Sequence, residues 1–143
     1  MTHAVTRQSI SYQSAAHLVQ AAIDHAASRG WRVAAVVVDP AGHPVAFGRM
    51  DEVPAPVVDY ATDKAYTAGT LGKSTRAFFE RMNSSPELAM GMVNRPRVCA
   101  WDGGLAILEN GTLLGGLGVS GAAGPEDVEC AEHALASLGL DAG

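Results

Sequence analysis

Lysine is scarce in this chain of 143 residues. It occurs only at Lys64 and Lys73, and the ten basic side chains are scattered among fifteen acidic ones for a formal charge of -5. A phosphate backbone is bound through a concentrated positive field, so nucleic acid is not an expected partner. Cysteine is as rare: Cys99 and Cys130 cannot build a disulfide framework, and a free buried thiol is the default for each. No run approaches the roughly 18 apolar residues of a membrane span. The opening MTHAVTRQSISY has no apolar core of a leader peptide. The expectation is a cytoplasmic protein with no membrane partner. Low-complexity tracts and internal repeats are also missing. What remains is 48% hydrophobic and only 17% charged, the balance of a compact globule, and the length suits one domain spanning residues 1–143.

Residues 5–10 could form a short edge strand. Ala15, Leu18, Val19, Ala22, Ile23 and Ala26 then recur at the spacing of one helical face, up to a stop near Gly30. The apolar run Val33–Val38 and the stretch His43–Met50 read as a hairpin about Asp39-Pro40-Ala41-Gly42, whose residue types suit a type I turn. After Pro54 and Pro56 an alanine-rich helix is expected over 57–68, and another over 75–82. Pro86, Gly91 and Pro96 leave room for a turn or two of helix between 83 and 97. A second hairpin turns at Asn110-Gly111, where both central residues need positive φ. Gly124-Pro125 with Glu126 and Asp127 opens a last helix with an apolar stripe of Val128, Ala131, Leu135 and Leu138. Consecutive hairpins imply an α+β fold with an antiparallel sheet of about five strands and helices packed on it.

The glycines of LLGGLGVSGAAG (113–124) do not complete a nucleotide motif, because no Gly-Lys-Ser/Thr follows and too little chain remains for a dinucleotide unit. They read better as small residues that let a helix or a ligand approach a strand, followed by a tight turn into the last helix. Cys130 and His133 have the spacing to share a metal, but no third ligand is evident, so no metal site is assigned. Cys130 reads as a small core residue and His133 as a surface residue beside the apolar stripe.

Together, VVVDPAGHPVAFGRMD (36–51), ATDKAYTAGTLGKST (61–75), GGLAILENGTLLGGLGVSGA (103–122) and EDVECAEHAL (126–135) resemble the GlcG/HbpS-like family, which includes the C-terminal domain of PduO-type proteins. The resemblance spans about residues 10–138. It implies a profilin-like α/β/α sandwich, a homo-oligomer and haem binding as in the characterised members, some of which are linked to redox sensing or haem breakdown, while many others belong to catabolic operons. Two positions depart from the family pattern: Ala106 stands where proline is common, and Val128 where an acidic residue is frequent.

Arg49, Asp51, Asp63 and Lys64 are the polar residues expected at a cleft. A guanidinium and an ammonium could converge there on the carboxylates of haem or of a small organic acid. Non-covalent haem binding is therefore the first reading. His17, His25 and His43 are conceivable iron ligands, although each falls where a solvated side chain is commoner. The alternative is an enzyme without an organic cofactor acting on a small carboxylated metabolite. In it Arg49 and Lys64 anchor the acid, Asp51 or Asp63 transfers a proton, and amides around Gly103 and Gly104, or from Gly118 to Ser120, stabilise an oxyanion. A third reading is an oligomeric sensing or interaction module. Met82, Met90 and Met92 could line a pocket or subunit contact, or simply fill the core.

Overall fold

The structure, a computed structural model, describes residues 2–143. Its elements are α1 (Tyr12–Ser28), β1 (Ala34–Val38), β2 (Pro44–Arg49), α2 (Ala55–Leu71), α3 (Thr75–Met82), α4 (Pro86–Met92), β3 (Gly104–Glu109), β4 (Thr112–Ser120), α5 (Gly124–Ser137) and β5 (Asp141–Ala142). The strands form one antiparallel sheet in the order β2-β1-β4-β3-β5. Helices α1 and α5 cover one face and α2 the other, an α+β sandwich of three layers. Among the described residues no helix is long and apolar enough to cross a membrane.

Local chemistry sets the element ends. Ser11 and Ser74 cap α1 and α3 by accepting from the backbone N–H groups of Ser14 and Ala77, each at 3.1 Å. Helix α2 begins two residues before its expected start, because proline is tolerated in a first turn. It ends at Gly72, whose φ of 70° is the left-handed cap that glycine adopts without strain. The turn at Asn110-Gly111 has φ of 50° and 78°, as that hairpin type requires. Residues 5–10 are a correction: they form no strand, and of them only Ile10 is buried, its N–H bonded to the Leu114 carbonyl at 2.9 Å. The fifth strand is instead β5, which pairs with Ile107 and Leu108 at the free edge of β3. Val5 is exposed and takes no part in the core, to which only Ile10 of this segment belongs.

Strand alternation gives the two sheet faces opposite characters. Toward α1 and α5 point Val37, Leu105, Ile107, Leu117 and Val119, packed on Leu18, Ala22, Cys130 and Leu135. Toward α2 stand Gly104, Gly116 and Gly118, with Ala61, Ala65 and Gly69 opposite. A Cβ on Gly118 would lie 2.1 Å from the Ala61 carbonyl oxygen, and one on Gly116 would lie 2.3 Å from that of Ala65. The helix backbone therefore rests directly on the strand, which is why the segment is rich in glycine.

Candidate functional site

Close approach of α2 carries Lys64 into the protein at the end of β4. The lysine is 2% exposed, and its ammonium donates to the Val119 carbonyl at 2.9 Å, to Ser120 Oγ at 3.1 Å and to Asp127 Oδ2 at 3.1 Å. A Cβ on Gly103 would come within 3.0 Å of Lys64 Nζ, so glycine there makes room for the ammonium. Asp127 sits in the first turn of α5, equally buried, and its Oδ1 accepts from the Ala122 N–H at 3.0 Å. Burial raises its pKa to about 6, against the opposing pull of Lys64 and of the Ala122 amide.

This pair floors a cleft of about 550 Å³ between α2, α3, the segment before β3 and the start of α5. Tyr60 and Trp101 meet edge to face across 5.2 Å, and Phe79 stands on α3. All three rings keep substantial exposure: 39%, 60% and 37%. Arg76 forms a forked ion pair with Asp102 at the rim, with bonds of 2.9 and 2.6 Å. A cleft with aromatic walls and a charged floor suits a flat apolar ligand that carries a few polar groups.

Of the residues singled out from the sequence, the structure brings Lys64 and Ser120 together on this floor. Gly103 and Gly104 line an adjoining cleft of about 390 Å³. The Gly104 N–H is already bonded to Thr75 Oγ1 at 3.1 Å, and Gly118 lies under α2. Asp63, one residue and about 100° around the helix from Lys64, looks away from the floor. It is half-buried, and burial raises its carboxyl pKa, opposed by Arg97 and reinforced by Asp59. Arg49 closes the edge strand β2 and is exposed, while Asp51 lines a different surface depression beside Trp31 and Arg32. Neither lines the cleft. The imidazoles have other partners: His17 bonds Ser137 Oγ at 3.0 Å, His25 bonds Glu129 at 2.7 Å, and His43 lies 3.6 Å from Asp39. Cys130 is buried in the core, its thiol pushed up to about 11 chiefly by burial, and His133 stacks on His25 at 4.3 Å. Among the described residues no three or more His, Cys, Asp or Glu side chains are grouped to hold a metal ion. Met82 and Met92 line an apolar groove between α3 and α4, whereas Met90 is exposed.

Tyr60, Arg76, Phe79, Trp101, Asp102 and Asp127 escaped the sequence reading. One signal was available for two of them, since Trp101-Asp102 stands immediately before Gly103-Gly104.

The chain is similar to known proteins in both sequence and fold. The model of the family described as haem degrading protein HbpS-like matches residues 10–136. Protein GlcG of Escherichia coli is 31% identical over 116 residues, covering 80% of this chain and 84% of that protein. The crystal structure of a double mutant of Streptomyces reticuli HbpS superposes with a TM-score of 0.85 at 27% identity, over 95% of this chain and 91% of that one. A PduOC:Heme complex shares the fold with a TM-score of 0.83 at 24% identity, over 93% of this chain and 97% of that one.

Proposed function

The chain belongs to the haem degrading protein HbpS-like family, and we propose that it binds haem non-covalently in the aromatic cleft above Lys64 and Asp127. The observation that carries this reading is the trio of uncovered rings, Tyr60, Phe79 and Trp101, around one cleft in a chain with only 6% aromatic residues. Exposed aromatic surface gathered in one concavity marks a binding site. The volume of about 550 Å³ falls within the usual range for small-molecule sites, roughly 300–1,000 Å³.

The donor set fits a porphyrin more clearly than it fits an iron. The rings offer faces to a macrocycle, and Tyr60 contributes a phenol, the one side chain lining the cleft that belongs to the usual axial classes of histidine, methionine, cysteine and tyrosine. Haem would supply a redox-active iron and a strong visible chromophore. The protein's own residues bind and orient: Tyr60 and Trp101 exclude water from one side, and the Lys64–Asp127 pair holds the floor in place. Lys64 acts from beneath, since three partners surround its ammonium.

Haemin titration followed by absorbance tests this. Wild type is expected to saturate at one haem per chain, and Trp101→Ala and Tyr60→Ala each to weaken binding about tenfold, the equivalent of one good aromatic contact. A wild-type titration that never saturates would refute the reading.

One observation favours a second reading, an enzyme that acts on a small carboxylated metabolite. Asp127 faces the cleft with a pKa near 6, so it can give and take a proton close to neutral pH. Turnover of an organic acid that disappears in Asp127→Asn would support that reading over simple binding. The homo-oligomeric module draws support from Phe47, 63% exposed on the face of β2 beside α2. Light scattering of wild type and Phe47→Ser tests it, with dissociation of a larger assembly as the expected outcome.

A further inference from the structure

The cleft and its neighbour share a wall, and that wall is a single ion pair. Arg76 and Asp102 line both the cleft of about 550 Å³ and the adjoining one of about 390 Å³, which continues along Gly104, Leu105 and Pro125. Arg76 Nε and Nη2 donate to the two carboxylate oxygens of Asp102, and the guanidinium carbon lies 5.5 Å from the centre of the Phe79 ring. The arginine is half exposed, whereas the Asp102 side chain retains 15% exposure. Asp102 also abuts the start of the 14-residue helix α5, where a Cβ on Gly124 would sit 3.4 Å from its Oδ2. Glycine at 124 thus leaves space for a carboxylate at a helix end that favours negative charge.

These facts distinguish the two cations of the cleft. Lys64 is enclosed and already donates to three acceptors, while Arg76 presents its fork at the surface to an acid supplied by the protein itself. Resting on the cleft reading above, we infer that Arg76 is the clamp for a ligand carboxylate and that Asp102 is the internal acid which the ligand displaces. The exchange replaces one forked carboxylate bond with another. Asp102 then stays beside the first turn of α5, and the opened wall joins the two clefts into a longer groove. The preferred ligand class is a planar apolar body with a carboxylate at its edge, and Asp102 sets the threshold that a weaker anion fails to cross.

Haemin and haemin dimethyl ester, whose carboxylates are blocked, separate the clamp from the cleft. Both are titrated into wild type, Arg76→Gln, Arg76→Lys and Asp102→Asn, with circular dichroism to verify that each variant is folded. Wild type is expected to bind the free acid at least tenfold tighter than the ester. Arg76→Gln should erase that difference, Arg76→Lys should keep part of it, and Asp102→Asn should tighten the acid severalfold, by a clearly larger factor than it changes the ester. If wild type binds acid and ester equally, the clamp is wrong and the cleft reading survives. If Asp102→Asn leaves acid binding unchanged, the exchange is wrong. If neither compound saturates wild type, the cleft reading fails and the clamp fails with it.

Discussion

The two faces of the sheet solve the same packing problem in opposite ways. Along β4, Leu117 and Val119 project toward α1 and α5 into a core of full-sized side chains, while Gly116 and Gly118 alternate with them toward α2 and present almost nothing. The first face gains stability from buried apolar volume. The second draws a helix backbone onto the strand, and this brings a lysine deep enough to meet a buried aspartate. Bulk thus holds the fold on one side, and its absence builds the cleft on the other.

The contrast can be broken most forcefully at the ion pair. Lys64→Ala strands Asp127 as an uncompensated buried charge, and urea denaturation should show a loss of about 3–5 kcal/mol. Replacing both partners by apolar residues, Lys64→Met with Asp127→Leu, should restore most of that stability while altering the floor of the cleft. Neighbouring residues of β4 should next respond to opposite changes. Leu117→Ala removes buried volume and is expected to cost about 2–5 kcal/mol. Gly118→Ala adds one methyl against the Ala61 carbonyl and is expected to cost about 1–3 kcal/mol by overpacking. If Gly118→Ala proved neutral, the close approach of α2 would lose its role.

A smaller effect should appear with pH. Asp127 binds its proton more tightly in the folded state, at about 6, than its ordinary value of 3.8. Its contribution to stability is therefore full below about pH 4 and is lost as pH rises through about 6. Asp127→Asn should remove that slope from stability curves measured between pH 4 and 7. Least of all should Trp101→Ala change stability, by no more than about 0.5 kcal/mol, because the ring is mostly exposed. The same substitution should still impair haemin binding.

Much of this organisation was legible in the sequence because it is local. The turns at Asp39–Gly42 and Asn110-Gly111, the helix stop near Gly30 and the reading of the glycines as a close-approach surface each depend on a few adjacent residues. The edge of the sheet was not, since β5 wins its place beside β3 through a long-range pairing that two residues at the end of the chain do not announce. The cleft was partly legible. Lys64 stood out as one of two lysines, but its depth depends on Gly103 and Gly118, which lie far away in sequence. Asp127 read as an ordinary first-turn acid of a helix, because only the fold brings Lys64 to it. Arg49 and Asp51 drew attention as charged residues at the end of a strand expected to border the cleft, yet β2 is an edge strand and neither residue lines the cleft.

Hydrogen exchange on the protein with and without haemin, resolved by peptide, tests the location of the site most directly. Added protection is expected at residues 57–64, 75–82, 98–103 and 120–127, the four segments that converge on the cleft. Protection confined to β2 around Arg49, or to α1 around His17 and His25, would contradict the proposed site.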